Sequence, residues 1–535
     1  MNRHAAAVAE IASKVRQFYD LKVPFRISHG STNSTRLSTR RENQIIDTSA
    51  LRHVIKVDVQ KKTALVEPNV PMDKLADATM KYGLIPPVVM EFPGITAGGG
   101  YAGTSGESSS FKHGFFDRTV REVEMVLADG EIIKANESEK ADLFHGAAGA
   151  LGSMGITTLL EINLEDAHSH VETTYHPVSS ISEAVSKIHE LTTRTDLDYV
   201  DGILFSPTHG VLVTGRRTNN PDPSHTTRTF TNSWDPWFYL HAQSTTTKNP
   251  NPQNPTVESI PLYDYLFRYD RGGFWVGRSA FHYMLNFPFN RFTRWFLDDF
   301  LRTRMLYKAL HASGYSRQYV VQDLALPYET AEQFIDYTVE KFNIWPLWLC
   351  PLKQSPAPTM HPHIIPISQP SHSTISPPSD PSSLPPMLNI GLWGFAPPTS
   401  SCPRAFTALN LDLEARLKQF GGMKWLYATA YYSSSQFWEM FDKKWYDSLR
   451  KKYRAESLPS TFDKVKGKGS DVSEEEEEGK EGWKMKSLRI RPIGGLYGIW
   501  KAMWSGEWRG VRRGRWESID LTGVEEETEE ERKAK

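Results

Sequence analysis

Three stretches of small residues in the first third of this 535-residue chain could hold a diphosphate. ISHGSTNSTR (27–36) places a glycine among hydroxyls straight after a strand-like run. EFPGITAGGGYAGTSGESSSFKHG (91–114) carries five glycines between Gly98 and Gly106. HGAAGALGSMGIT (145–157) spaces Gly149, Gly152 and Gly155 by three before another strand. Glycine contributes no packing and costs backbone entropy to order. Such runs make sense where a ligand needs bare backbone, because consecutive N–H groups turned into one concavity bind phosphate without net charge. One such loop alone would be a turn. Three in this order imply a long ligand lying across one domain. GGGYAG (98–103) matches G-x-G-x-x-G literally. Pro93–Gly94 precedes it and no apolar helical pattern opens after it, so a dinucleotide βαβ unit is not expected there.

The elements that must position these loops are mixed. VPFRIS and QIIDTS read as short strands, and HVIKVDVQKKTALVEP as two strands about a turn at Gln60–Lys62. PMDKLADATMKYG is a helix from Pro71 to Gly83. VREVEMVLADGEIIKA is a hairpin turning at Asp129–Gly130, and ITTLLEINL a further strand. Strands and helices lack a steady βαβ alternation, so the fold class is α+β. The expected organisation is an N-terminal helix (1–22), a loop-bearing domain (23–165), a second, aromatic-rich α+β domain (166–460) and a charged extension (461–535). Within the second domain, DYVDGILFS, GVLVTG, LNIGLWGF and WLYATAYY read as strands, and residues 353–386, rich in Pro and Ser, as a disordered insertion.

Bulk properties exclude several classes. Net charge is −1, so no nucleic-acid partner is indicated. Cys350 and Cys402 have no metal-ligand spacing, so no metal is expected, and they fit a reducing compartment. The N-terminus lacks the apolar core of a signal peptide, and no window has the ~18 apolar residues of a spanning helix. Trp500, Trp504 and Trp508, spaced by four beside Arg509, Arg512, Arg513 and Arg515, resemble an interfacial membrane segment, although five nearby glycines oppose a stable helix.

The order of the three loops, followed by VLADGEI and DLFHGAAGALGSMGIT, resembles the FAD-binding domain of the vanillyl-alcohol-oxidase and MurB type, the PCMH-type fold. GITAGGGYAGTSGESSSFKHGFFDR is similar to the corresponding stretch of Delta(24)-sterol reductases. The likeness continues through DYVDGILFS, IPLYDYLFR, VVQDLALP, IWPLWLCP, LNIGLWG and WLYATAYYSSSQFWEMFDKKWYDSLRKK, covering roughly residues 23–466. The resemblance implies a two-subdomain FAD-binding domain followed by a substrate (cap) domain. It implies FAD-dependent reduction of the C24=C25 double bond of sterol intermediates, with NADPH as electron source. Relatives with covalent flavin carry a histidine where this chain has Ser31, and His29 is offset by two, so non-covalent FAD is expected. The implied FAD contacts are His29, Gly30, Ser31, Thr32, Asn33 and Ser34 in the first loop. In the second they are Pro93, Gly94, Thr96, Gly98, Gly99, Gly103, Thr104, Gly106, Ser109, His113 and Gly114, and in the third Gly152, Gly155 and Ile156.

An isolated trisubstituted alkene has no carbonyl to polarise it. Its reduction therefore needs an acid at one carbon, hydride at the other, and a dry slot. Tyr427 is the first choice for the acid. Strand alternation would put Tyr427 and Tyr431 on one face, and the family keeps tyrosines at both places. Glu107 and Lys112 follow, with Asp323 a further polar candidate and Arg118 a pairing partner for an acid. Trp345, Trp348, Trp393, Phe395 and Trp425 are candidate lining for a flat apolar ligand, each with core packing as the plainer alternative. No second nucleotide loop exists, so NADPH would visit transiently, with Arg216–Arg217 and Arg268–Arg271 as contacts. Sterol substrates imply peripheral association with the endoplasmic reticulum membrane, the alternative being the cytoplasm. Rival readings are a flavin-dependent oxidase or dehydrogenase of an alcohol, lactone or 2-hydroxy acid, a sterol side-chain isomerase, and a sterol-binding scaffold without turnover.

Overall fold

The computed structural model describes residues 2–29, 42–283, 288–313, 318–365, 384–400 and 402–467, with 497, 500 and 504. Of the first small-residue loop, residues 30–36, including Gly30 to Ser34, fall outside them.

The loop-bearing domain is built on a five-stranded antiparallel sheet ordered Val54–Asp58, Thr63–Val66, Ile156–Asn163, Val120–Val126, Ile132–Asn136. Beside it, Arg26–Ser28 pairs in parallel with Ile45–Asp47. The alanine-rich helix Asn2–Asp20 has apolar residues at i, i+3 and i+7. Val8, Ile11 and Val15 pack it on Val126, Ala128 and Ile156 of the sheet. Gly130 in the hairpin turn has φ +87°, and a Cβ there would meet Ala12 O at 2.8 Å, so the turn doubles as the helix's seat.

The second sheet has nine strands, ordered Thr226–Thr227, Thr256–Pro261, His170–Val178, His209–Thr218, Tyr199–Ser206, Leu347–Leu352, Met387–Phe395, Tyr319–Pro327, Met423–Lys424. All neighbours are antiparallel except the first pair. Helices Ile181–Thr192, Tyr328–Lys341 and Pro403–Gln419 cover one face through Ile188, Phe334 and Leu413. The other face turns towards the loop-bearing domain. The architecture is α+β.

Four features depart from the sequence reading. AGGGYAG is helical over Ala97–Gly103, capped by Thr96, whose Oγ1 accepts from Gly99 N at 3.1 Å. WLYATAYY is not a strand: pairing stops after Lys424, and a turn spans 426–428. Residues 353–365 are ordered, with Met360 and His361 buried, because the segment carries its own buried contacts; residues 366–383 lie outside the described set. Helices Ser434–Met440, Lys443–Lys452 and Thr461–Val465 cross back to the third small-residue loop. There the Tyr446 hydroxyl donates to Ser153 Oγ at 2.8 Å, and Lys464 Nζ to the Leu151 and Gly152 carbonyls.

Candidate active site

Two-residue alternation along four adjacent strands sorts polar from apolar side chains. Leu204, Leu324, Leu349 and Ile390 face the helices. The intervening Asp201, Trp348, Cys350, Asp323, Asn389 and Trp393 face the loop-bearing domain. Antiparallel register sets Asp323 opposite Gly391 and Cys350 opposite Asn389. Gly391 is needed there: a Cβ would lie 3.0 Å from both Asp323 Oδ1 and Trp348 Cβ.

On this face the Tyr427 hydroxyl donates to Asp323 Oδ2 at 2.9 Å. Asn389 Nδ2 donates to Asp323 Oδ1 at 3.2 Å, and Trp425 Nε1 fixes the Asn389 amide through its Oδ1 at 2.8 Å. Burial pushes the Asp323 carboxyl up to about 6, against the two hydrogen bonds that favour its anion. Burial, then the Asp323 charge, raises the Tyr427 phenol well above its ordinary value, so it keeps its proton at neutral pH. Tyr307 and Trp393 flank the phenol. Both also line an apolar cleft with Phe92, Gly273, Val276 and Leu306. Phe92 adjoins the glycine-rich stretch, so the cleft runs between the two domains.

Tyr431 is not brought to Tyr427. Because the turn replaces a strand, Tyr431 packs on the helix-covered side against Phe406, and its N–H donates to Glu414. Glu107 is buried, but in a different cluster. It accepts from Ser108 Oγ at 2.7 Å and from Ser109 Oγ. Arg268 Nη2 bonds Ser108 Oγ at 3.2 Å and Asp201 Oδ2 at 3.0 Å. Tyr269 and Trp348 also donate to Asp201. Burial, then the nearby Glu107 charge, raises Glu91 well above the carboxylate range, and burial raises Glu107 as well. Several carboxyls around one guanidinium cannot all ionise cheaply in a dry interior. Arg268 is therefore a structural counter-ion with no phosphate-facing surface, as is Arg271, which pairs with Asp298 at 2.7 Å. Arg217 is committed to Glu165 and Asp198; Arg216, half-exposed, pairs with Glu172. Lys112 is on the surface with Asp198 at 3.1 Å, and burial lowers the neighbouring His113. Among the aromatic candidates, Trp348, Trp393 and Trp425 lie on the inter-domain face, with Phe395 at its edge on Tyr319. Trp345 packs on the opposite, helix-covered side.

The second and third small-residue loops meet through the helix Ala97–Gly103. The first-turn amides of Ala97–Gly103 are already used: Ala97 N donates to Val70 O and Gly98 N to Pro68 O. Gly98 and Gly100 exist for close packing, since a Cβ would meet Pro68 Cβ at 2.5 Å or Phe116 Cδ1 at 2.7 Å. Pro93 O accepts from Arg304, Ser109 Oγ donates to Pro87 O, Gly114 (φ +79°) makes a turn, and Ile156 is core. The open part is the helix's other end. A Cβ on Gly103 would meet no atom of the described residues within 4 Å. Gly149 N and Leu151 N donate to the Tyr101 and Ala102 carbonyls, docking the third loop there. Ile27, leading into the first loop, packs beside Gly152 at 3.0 Å from where its Cβ would be; Gly155 closes on Val126 O. Thr104 Oγ1 and His361 Nδ1 are buried without a hydrogen-bond partner among the described residues, and both close on Gly149, at 2.6 and 3.2 Å from a Cβ placed there. His361 stacks on Phe115 at 4.8 Å and lies 3.2 Å from Asp117; despite burial, that pairing holds the Asp117 carboxyl below its ordinary value.

A family model described as an FAD binding domain matches residues 3–136, a span that takes in the N-terminal helix and both the first and second loops. The chain is an FAD-dependent oxidoreductase. This flavoprotein is similar to the Delta(24)-sterol reductase of Homo sapiens, 28% identical over 417 residues covering 78% of this chain and 76% of the relative. The Caenorhabditis elegans homolog is 26% identical over 489 residues, 87% and 88% of the two chains. The Arabidopsis thaliana reductase is 27% identical over 427 residues, 77% and 74%. The residues fit FAD: two orphaned buried polar atoms, a vacant glycine flank and the meeting of the second and third loops suit its polar, extended body. His361, Asp201, Glu91 and Asn389 escaped the sequence reading. Strand alternation in DYVDGILFS and LNIGLWG carried a signal for Asp201 and Asn389; the Pro/Ser-rich surroundings hid His361.

Proposed function

We propose that this flavoprotein reduces the C24=C25 double bond of a sterol side chain, with NADPH as the electron source. The observation that carries the reading is the Tyr427–Asp323 pair, whose phenol is flanked by Tyr307 and Trp393 of an apolar inter-domain cleft. Relatives named Delta(24)-sterol reductase, matched over both domains, support it. Bound FAD would supply the hydride; Gly103, Thr104, Gly149 and His361 would hold it. The protein's own task is the proton. With Asp323 protonated, the hydrogen bond that Tyr427 Oη donates to Oδ2 reverses: the phenol gives its proton to the substrate and takes that of Asp323, so the phenol acts as a relay and the carboxyl as the acid. Asn389 and Trp425 keep the carboxyl aimed. Phe92, Leu306, Tyr307 and Trp393 exclude the water that would trap a developing cation. NADPH enters the same cleft, and sterol substrates place the protein peripherally at the endoplasmic reticulum membrane. No described helix is long and apolar enough to cross a bilayer.

The test is anaerobic. Flavin that bleaches with NADPH and recolours with a Δ24-sterol in detergent supports both half-reactions. Flavin that ignores NADPH, or recolours only with oxygen, removes the reductase reading and favours an oxidase.

A further inference from the structure

Eleven large hydrophobic residues are left strongly exposed among the described residues, and four of them come together. Trp234 (46% exposed), Phe292 (60%), Trp295 (41%) and Phe296 (67%) form one surface. Trp234 meets Trp295 edge-on at 5.4 Å, and Phe292 contacts Trp295 at 5.6 Å and Phe296 at 6.4 Å. The short helix Arg291–Phe296 that carries them is held by an Asn290–Thr293 capping box, so the rings project from a fixed base. Exposed tryptophan and phenylalanine at this density are costly in water.

The charge around them is mostly positive. From Arg278 to Lys308 the chain holds six lysines and arginines against two aspartates, Asp298 and Asp299. Arg302 and Arg304 are taken up by Asp298 and Asp73. Arg278, Arg291 and Arg294 instead lie over rings, on Phe289, Trp234 and Phe289 respectively, and make no ion pair among the described residues. Aromatic rings interleaved with arginines match the headgroup layer of an anionic bilayer, where tryptophan sits at the interface and arginine meets lipid phosphate.

The patch also shares its framework with the cleft. Gly272 and Gly277 press on Trp237, which packs on Phe289 beneath Arg294, while the intervening Gly273 and Val276 line the cleft. On the other side, Arg302 follows the patch helix, and Thr303, Leu306 and Tyr307 line the cleft. We infer that Trp234, Phe292, Trp295 and Phe296, with Arg278, Arg291 and Arg294, form a docking surface for an anionic lipid bilayer that sets the cleft against the membrane. An apolar substrate would then pass from lipid to cleft without crossing water. The binding rests on the surface itself; only its purpose rests on the sterol reading.

The experiment is co-sedimentation of the full chain with phosphatidylcholine vesicles, with and without phosphatidylserine. The probes are wild type, a Phe292→Ser/Trp295→Ser/Phe296→Ser variant, Arg291→Glu, and a Trp500→Ser/Trp504→Ser variant. We expect the triple variant to lose at least tenfold in vesicle binding, and Arg291→Glu to weaken binding to anionic vesicles more than to neutral ones. Turnover of detergent-dispersed Δ24-sterol should persist in the triple variant while turnover of vesicle-borne sterol falls. Wild-type protein that stays in solution with every vesicle overturns the inference. So does triple-variant binding equal to wild type, with loss confined to Trp500→Ser/Trp504→Ser, which would put docking on the C-terminal segment. A fall in mass from dimer to monomer in the triple variant would make the patch a subunit interface instead. Retained patch-dependent binding with no sterol turnover in either format would leave the docking surface standing and remove the sterol reading.

Discussion

Tyr427 and Asp323, 104 residues apart, share a hydrogen bond of 2.9 Å on the buried face of the nine-stranded sheet, where that face meets the glycine-rich domain. The phenol of this pair is flanked by Tyr307 and Trp393, which line the cleft. Replacing Tyr427 by Phe keeps the ring and removes the relay. Bleaching of the flavin by NADPH should proceed at the wild-type rate in this variant. Recolouring by sterol should slow about a hundredfold or more in stopped-flow traces. Equal slowing of both steps would mean that Tyr427 shapes the site and does not serve the proton.

Asp323 sets a pH dependence. Its folded-state value, about 6, lies above the ordinary 3.8. The folded protein therefore binds this proton more tightly than the unfolded chain. The acid form is present below about 6 and is lost as pH rises through it, so the sterol step should slow progressively above that pH. Stability has the same sign: ionising the buried carboxyl costs on the order of 2–3 kcal/mol by neutral pH. Asp323→Asn should give a low, flat rate profile and yet melt no lower than wild type at pH 7.5.

Two glycines of one helix separate packing from cofactor space. Gly98→Ala drives a Cβ to 2.5 Å from Pro68 Cβ and should lower the melting temperature of flavin-free protein by the equivalent of about 1–3 kcal/mol. Gly103→Ala meets no atom of the described residues within 4 Å, so the flavin-free protein should melt as wild type. Its flavin content after purification, read from the visible flavin absorbance, should nonetheless fall if that flank receives FAD.

His4 ties the N-terminal helix to the flavin-domain sheet. Its ring bonds Glu67 Oε1 at 2.9 Å and Glu124 Oε1 at 3.1 Å. Burial alone would lower its pKa, but the two carboxylates raise it from 6.5 to about 9, and their own values fall below 4.5. The charged contact is complete between about 4.5 and 6.5 and is lost as pH rises towards 9. The difference in melting between wild type and His4→Ala should be largest near pH 6, at most about 3 kcal/mol, and shrink by pH 9.5.

Most of the flavin domain was legible because its signals are local. Apolar alternation marks Val54–Asp58, Thr63–Val66 and Ile156–Asn163, and Asp129–Gly130 marks the hairpin. The helix over Ala97–Gly103 was missed because glycine opposes it; neighbouring carbonyls of Pro68 and Val70 secure its first turn from outside. The strand expected at Tyr427 failed for the same kind of reason. Its composition suits a sheet, but edge pairing ends at Lys424 and a turn follows.

By itself the amino-acid order determined the α+β class, the three small-residue loops, the flavin resemblance, and which strand positions share a face, because each depends on neighbours or on a two-residue period. Only the tertiary structure decided that Tyr427 meets Asp323 while Tyr431 does not, that Arg268 is sealed onto Asp201 and Ser108, and that His361 closes on Gly149. Those pairings join atoms from distant parts of the chain. They are selected by the cost of leaving buried charges and hydrogen-bonding groups unmatched, a cost that exists only once the two domains close on each other.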